Sequence, residues 1–348
     1  MNLTLLKTLS ERDKSSIINF WKSNFPAWPT EKYSWFYESN PYGKAACWVL
    51  KDNEKDTVIG STAVFPRRFF VNGHSLMGGI TGDFAVDQEY RIVGPALQLQ
   101  RACISACEKG DFDFLYGYPN ERSEPVQRRA GFTKIGSTCR MVKVLRSSEY
   151  FEKKIKSKIV GRRLGSLIDV TLRISSRDFY YRKRRDISIE ISSDFDERVD
   201  RLWKQSLGRY PIIGERNRDF LNWRFTQCPS REYIVFSLIS KNSGNMIGYV
   251  VYFSDKSHVY IVDFLVADMS EEFGVLLSEF LIFQKKRSIK TISIILFGSE
   301  DLMGRFRRFG FSVRRDERSI LMFTRPDSPF VSHLSNKRNW YFTEGDND

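Results

Sequence analysis

The 348-residue sequence predicts an α/β protein with mixed sheets, made of two tandem copies of one domain joined by a basic helical connector. Three observations predict it. The chain repeats itself at a shift of 188 residues. Each copy runs from hairpin-connected strands into strands alternating with helical patterns, the order of a mixed sheet with helices packed on it. Between the copies lies a segment dense in lysine and arginine, with apolar residues at helical spacing.

The repeat is legible residue by residue. Trp35-Phe36-Tyr37-Glu38-Ser39-Asn40-Pro41 returns as Trp223-Arg224-Phe225-Thr226-Gln227-Cys228-Pro229, and the same shift pairs Ile59-Gly60 with Ile247-Gly248 and Phe65 with Phe253. Each copy then reads as two strands and a turn, Ala46–Leu50 to Gly60–Phe65 and Tyr233–Leu238 to Ile247–Phe253. Asp52-Asn53 and Asn242-Ser243-Gly244 suit the reversals. The first copy makes a longer excursion with Asn72-Gly73 at its turn. The register resumes at Asp83-Phe84-Ala85-Val86 against Asp263-Phe264-Leu265-Val266. Helical patterns follow at Pro95–Cys107 and Phe273–Phe283, then apolar strands at Phe112–Tyr116 and Ile292–Phe297. Arg128-Arg129-Ala130-Gly131-Phe132 and Arg307-Arg308-Phe309-Gly310-Phe311 close the two copies. The copies are bounded at 1–147 and 188–348, with the connector at 148–187, where Ile159, Leu164, Leu167, Ile168 and Leu172 mark one helical face.

Composition narrows the function classes. With 41% hydrophobic and 14% aromatic residues the chain is globular, long enough for two domains with separate cores. No basic start leads into an apolar run and no stretch reaches a membrane-spanning length, so neither a signal peptide nor a membrane span is expected. Five cysteines without a CxxC pair read as free thiols, which points to a cytoplasmic location, and three histidines make a metal site unexpected. The net charge is +13, and twelve basic residues against two acidic ones fall between Lys153 and Arg185. Such a segment steers an anionic substrate, touches a membrane surface, or is a solvated face.

Chemistry enters where Asp83–Val86 runs into Asp87-Gln88-Glu89-Tyr90-Arg91-Ile92-Val93-Gly94-Pro95-Ala96. A strand, a short loop and a helix start carrying RxxGxA form an anion site, because the first N–H groups of a helix are unpaired and its dipole is positive there. Gly94 admits close approach, Pro95 suits the first turn, and Arg91 adds a permanent charge.

This segment resembles the pyrophosphate loop of the GCN5-related N-acetyltransferase (GNAT) superfamily, [QR]-x-x-G-x-[GA], through Arg91, Gly94 and Ala96. Val86 stands where that family's central strand ends, and Asn120 precedes Gly131-Phe132 at the family's interval. The resemblance implies two GNAT-like domains and acyl-CoA as co-substrate, with no metal. The cofactor site it implies comprises Phe84, Ala85, Val86, Arg91, Ile92, Val93, Gly94, Pro95, Ala96 and Asn120, the last on the pantetheine arm. In the second copy the loop is Asp268-Met269-Ser270-Glu271-Glu272-Phe273-Gly274, with Glu271 in place of the arginine. Carboxylates repel a pyrophosphate, so this copy is expected to bind no CoA and to wall the acceptor.

The implied reaction is direct attack of an amine on the thioester. Asp83 is the candidate base, although its recurrence as Asp263 also fits a structural role. The family's usual tyrosine acid is replaced by Gln127, so Tyr90, Tyr116, Tyr118 or water would protonate the thiolate. His74 is a weaker candidate, and no Cys–His spacing supports a cysteine nucleophile. Arg216, Asp263 and Trp223 are placed on the acceptor side, Arg216 against a phosphate, while Trp35, Trp223 and Phe225 also serve core packing. The tandem arrangement looks like bacterial acyltransferases of surface-polysaccharide biosynthesis. It implies transfer of an acetyl group, or a short acyl such as 3-hydroxybutyryl, to the amine of a dTDP- or UDP-linked amino sugar, an anionic partner. Other readings are an aminoglycoside- or polyamine-type acetyltransferase, a transferase using aminoacyl-tRNA, and a protein that binds nucleic acid or a membrane surface. Nucleic acid is not the expected partner.

Overall fold

The computed structural model describes residues 2–7, 11–25, 30–91, 93–146, 176–181, 184–314 and 318–347. Most of the expected helical connector, including its apolar stripe, lies outside the described residues. In chain order the elements of the first repeat are β1 (Leu3–Lys7), α1 (Glu11–Asn24), β2 (Ala46–Asp52), β3 (Thr57–Val71), β4 (His74–Val86), α2 (Val93–Glu108), β5 (Phe114–Gly117), α3 (Glu124–Ala130), β6 (Thr133–Ser137) and β7 (Cys139–Val144). The second repeat contains β8 (Ile187–Ser192), α4 (Arg198–Ser206), β9 (Ile212–Gly214), α5 (Arg218–Leu221), β10 (Ile234–Ser240), β11 (Met246–Asp255), β12 (His258–Val266), α6 (Phe273–Lys286), β13 (Thr291–Gly298), α7 (Glu300–Arg308), β14 (Ser312–Arg314) and β15 (Ser319–Thr324). After it come α8 (Val331–Leu334) and β16 (Trp340–Thr343).

The local chemistry of these elements is simple. In α2, Leu99, Cys103, Ile104, Ala106 and Cys107 are buried, the spacing of one helical face against the sheet. Asn72 and Gly73 both have positive φ, 48° and 83°, and Val71 pairs with His74. That is the two-residue turn whose twist matches a hairpin. The tryptophan segments fold alike in both copies. Ser39 N–H bonds Ser34 O at 3.0 Å and Gln227 N–H bonds Asn222 O at 2.9 Å, so each closes a wide turn of i→i+5 spacing at equivalent positions.

Sheet topology departs from two self-contained domains. The first sheet runs β1-β2-β3-β4-β5-β15-β6, and the second runs β8-β10-β11-β12-β13-β7-β14. Each repeat therefore lends its last strand to the other. β15 pairs antiparallel with β5 through Leu321↔Gly117 and with β6 through Ile320↔Gly136. β7 pairs antiparallel with β13 through Thr291↔Val144 and with β14. The sequence boundaries delimit the repeats, not the sheets. β9 and β16 join the sheets edge to edge, linking β3 to β13 in one sixteen-stranded array.

The expectation of separate cores is corrected accordingly. The larger buried cluster contains Trp21, Phe36, Phe65 and Tyr116 of the first repeat together with Trp223, Phe264 and Phe306 of the second. Against it Trp35 Nε1 donates to Trp223 O at 2.7 Å and Trp223 Nε1 donates to Trp35 O at 3.0 Å. These two residues stand 188 apart, so they lie on the axis that relates the copies. A smaller cluster, including Trp48, Leu50, Leu99 and Phe132, fills the space between α2 and the first sheet.

Candidate functional site

β4 and β5 pair in parallel only from Gly78↔Phe114 to Ile80↔Tyr116. Past Ile80, β4 continues to Val86 along β3, and β5 turns away. Thr81 Oγ1 donates to Tyr116 O at 3.3 Å at the branch point. The β3–β4 register then shifts between Ser61 and Ala63, a bulge at which Asp83 takes φ 44°. The bulge re-aims the strand end.

The divergence opens a cleft of about 700 Å³ lined by Phe84, Ala85, Val86, Arg91, Ala96 and Asn120, six of the residues predicted for the cofactor. Asn24 and Phe25 at the end of α1, and Arg122, Ser123 and Val126 around the start of α3, complete it. Sequence reasoning missed these five. Arg122, two residues after Asn120, was the one with a visible signal, a second cation near the loop. Among the described residues the lining holds two arginines and no carboxylate.

α2 begins at Val93, so its unpaired N–H groups lie in the predicted loop. Gly94 is exposed, and a Cβ built on it meets nothing within 4 Å. Its lack of a side chain is therefore not demanded by packing and leaves space for a ligand. Pro95 is buried within the first turn. Arg91 Nε donates to Val86 O at 3.0 Å, which holds the guanidinium at the strand end. Asn120 Oδ1 accepts from Arg122 N–H and from Ser123 N–H and Oγ, leaving Nδ2 as the group for a ligand. Ile92 lies outside the described residues.

In the second repeat side chains take the loop donors and another strand fills the gap in the sheet, while a cavity of about 400 Å³ remains over the loop, lined by Ser270, Glu271, Gly274, Arg305 and Arg308 among others. Asp268 Oδ1 accepts from Ser270 N–H at 2.7 Å and Glu271 N–H at 3.3 Å, and Glu272 Oε2 accepts from Asp268 N–H at 3.0 Å. Side-chain carboxylates thus take loop donors that would otherwise face an anion. β12 pairs with β13 only as far as Ile261↔Ile294. Beyond that point Leu296 pairs with Cys139 on one edge and with Thr343 on the other. β16 therefore fills the gap that β12 leaves. Thr343 Oγ1 donates to Asp263 Oδ1 at 2.6 Å, and the Tyr341 hydroxyl bonds Phe264 O.

Asp83 precedes Phe84, which lines the first cleft. Its carboxylate pairs with Lys32 Nζ at 2.9 Å and accepts from the Tyr37 hydroxyl at 2.7 Å. Its carbonyl accepts from Ser61 Oγ at 3.1 Å. Tyr90 is elsewhere: buried under β2, it donates to Asp52 Oδ2 at 2.5 Å, and that bond raises its pKa. It is not brought to Asp83. Tyr116 donates to Asp346 O at 2.7 Å and Tyr118 packs on Phe342, with ring centroids 5.5 Å apart. His74 opens β4 against Phe330, away from the cleft. Burial pushes the Cys103 thiol up to about 12 and the Cys107 thiol up to about 11, which disfavours thiolate nucleophiles.

The acceptor-side assignments land in the interior. Arg216 and Asp263 are each 1% exposed and bond each other at 2.9 Å. Asp346 joins them, accepting from Arg216 Nη2 at 2.6 Å and from Arg67 Nη2 at 2.8 Å. Trp223 is held by Trp35. These residues contact one another rather than a solute, because a buried guanidinium must be neutralised within the fold.

The comparisons with known proteins agree with this architecture. Residues 6–135 match the family model described as Acetyltransferase (GNAT) domain. No curated protein matches the sequence. Among solved structures, a protein of Enterococcus faecalis V583, described as of unknown function and a probable N-acyltransferase, superposes with TM-score 0.68 at 14% identity, over 93% of this chain and 73% of that one. Saccharomyces cerevisiae N-myristoyltransferase with bound myristoyl-CoA gives 0.55 at 10% identity, over 92% and 79%. A tandem GNAT protein from the clavulanic acid biosynthesis pathway gives 0.53 at 10% identity, over 93% and 98%. Residues 6–135 thus match a GNAT acetyltransferase domain, in a chain whose fold is similar to that of a tandem GNAT protein.

Proposed function

We propose that the chain is an acyl-CoA-dependent N-acyltransferase whose first repeat alone holds the thioester. The observation that carries this reading is the cleft at the β4–β5 divergence, where two arginines meet the start of α2 beside an open glycine, with no carboxylate among the described lining residues. In this reading the pyrophosphate of CoA lies over Gly94, and the pantetheine arm runs between β4 and β5 past Asn120. The acyl carbonyl then sits near Asp83. An acceptor amine attacks that carbon, its proton passes to Asp83, and the C–S bond breaks to give an amide and CoA thiolate, which takes up a proton. Lys32 and Tyr37 keep the Asp83 carboxylate placed. The acceptor we favour is the amine of a dTDP- or UDP-linked amino sugar, in line with the excess of positive charge.

Calorimetry with CoA and acetyl-CoA tests the first claim, and thiol release with a panel of dTDP- and UDP-amino sugars tests the second. Gly94→Glu should abolish CoA binding, because it places a carboxylate in the pyrophosphate position. Gly274→Glu should leave it intact. Binding that survives the first change, or is lost with the second, overturns the division between repeats.

A further inference from the structure

Residues 176–181, at the end of the segment between the repeats, present two aromatic rings to solvent. Phe179 is 44% exposed and Tyr180 67%, the latter the greatest exposure of any large hydrophobic side chain among the described residues. Apolar area left in water is unfavourable until something covers it. Here the fold holds it out. Ser176 Oγ donates to Phe309 O at 2.9 Å, and Lys143 Nζ donates to Ser176 Oγ at 2.8 Å. The buried Asp178 carboxylate pairs with Lys143 at 3.3 Å and with Lys285 on its other oxygen. The Tyr181 hydroxyl donates to buried Glu279 at 3.0 Å. Residues 176, 178 and 181 are thus anchored inward, and Phe179 and Tyr180 stand outward between the anchors. Their rings meet edge to face, with centroids 5.2 Å apart.

Cations lie beside the rings. The cavity of about 400 Å³ over the second repeat's acidic loop is lined by Tyr180 and Tyr181 and by three arginines, Arg177, Arg305 and Arg308. Glu271 is the one carboxylate among its described lining residues. Arg305 is shared with Asp301 at 2.9 Å, whereas Arg177 and Arg308 are exposed. The sequence adds charge to the same end of the molecule. Twelve basic residues between Lys153 and Arg185 are opposed by two acidic ones, and one of those two is Asp178, already neutralised inside the fold by Lys143 and Lys285.

We infer that this face docks on an anionic lipid surface, with Phe179 and Tyr180 entering the headgroup layer and Arg177 and Arg308 meeting lipid phosphates at the mouth of the cavity. An anionic bilayer supplies both complements at one place: apolar depth for two rings and negative charge for the cations around them. A nucleic acid would meet the charge, but it binds aromatic side chains through open ring faces, and here one ring's edge lies against the other's face. None of these residues lines the cofactor cleft, so the inference stands apart from the acyl-transfer reading.

The full chain is sedimented with vesicles of phosphatidylcholine alone and with vesicles of equal parts phosphatidylcholine and phosphatidylglycerol. It should pellet with the mixed vesicles and stay in solution with the neutral ones. The double variant Phe179→Ser, Tyr180→Ser should bind the mixed vesicles about tenfold more weakly, the size expected for withdrawing two rings from an apolar environment. Arg177→Gln and Arg308→Gln should each weaken binding about fivefold, as for one cation at an anionic surface. All four positions are exposed, so circular dichroism and CoA affinity should match the wild type. Glycerol phosphate and a single-stranded RNA serve as competitors, and retention on the mixed vesicles in the presence of either supports the lipid surface. Equal binding to neutral vesicles, unchanged binding of the aromatic variant, or unchanged binding of both arginine variants would overturn the inference. Release by glycerol phosphate would assign the cavity to a soluble phosphate, and release by RNA would assign the face to nucleic acid; either result also overturns it.

Discussion

Replacement of Asp346 by asparagine tests the joint between the repeats. Asp346 is fully buried and accepts from Arg67, on β3 of the first repeat, and from Arg216, in the second. Asp263 balances Arg216 at 2.9 Å, and Arg67 and Arg216 are each 1% exposed. Two guanidiniums and two carboxylates cancel. The asparagine side chain would keep the shape and leave one buried positive charge without its counterion. Breaking a buried pair by removing one partner costs about 3–5 kcal/mol. Equilibrium unfolding in urea at pH 7, followed by tryptophan fluorescence and by far-ultraviolet circular dichroism, measures it. Both probes should report one transition, because each sheet contains strands of both repeats. Burial pushes the Asp346 carboxyl up, and Arg216 and Arg67 outweigh it, so its pKa lies below the usual carboxylate range. Its contribution is therefore complete above the unfolded value of about 4 and is lost as pH falls through the lower folded value. The difference between the wild type and Asp346→Asn should be constant from about pH 5 to 8, values chosen to lie above that window, and should shrink below about pH 4. A loss under about 1 kcal/mol at pH 7 would match an exposed pair and would refute the argument that this network joins the repeats.

Asp83→Asn should lower kcat by about a hundredfold if the carboxylate takes the amine proton, with affinity for acetyl-CoA unchanged. Asparagine tolerates the left-handed backbone at this bulge, so the variant should fold, and full turnover would remove Asp83 as the base. Tyr90→Phe should retain turnover and CoA affinity, because its hydroxyl is bonded to Asp52 and does not reach Asp83. A steep fall in kcat there, with the fold intact by circular dichroism, would return Tyr90 to the reaction.

The parts legible in the sequence are those encoded locally. The likeness of Trp35–Pro41 to Trp223–Pro229 was legible because Trp and Pro recur at the same spacing, while the i→i+5 turns into which both segments fold were not. The anion loop follows from Arg91, Gly94 and Ala96 because helix-start chemistry needs only neighbouring residues. The exchange of β7 and β15 was not legible. β7 alternates and β15 is a short apolar run, patterns that fit either sheet, and no residue within them names its partner. The burial of Arg216 was hidden for a related reason. Its three counterparts, Asp263, Asp346 and Arg67, lie 47, 130 and 149 positions away in the chain. Only the tail held a clue: Trp340-Tyr341-Phe342-Thr343 is an apolar run after the repeat has ended, with no counterpart in the first copy.

That tail explains why one duplicated framework has two different halves. A diverging pair of parallel strands exposes backbone donors and acceptors that must find partners or remain wet. In the first repeat, between Thr81 and Val86, no strand among the described residues fills that edge, and the cleft stays open. In the second, Thr343 on β16 pairs with Leu296, and Tyr341 reaches Phe264, so the chain supplies the missing partner itself. The loop donors are met in the same way by Asp268 and Glu272. The acidic loop alone would leave a repelling but open cleft, and β16 alone would leave an anion site with no channel behind it. β16 continues through β9 to β3 of the first repeat, and Asp346 follows it to Arg67. The strand that fills the gap beside β12 is thus the strand that fastens the second repeat to the first. Filling the gap beside β12 and joining the two sheets are a single structural change.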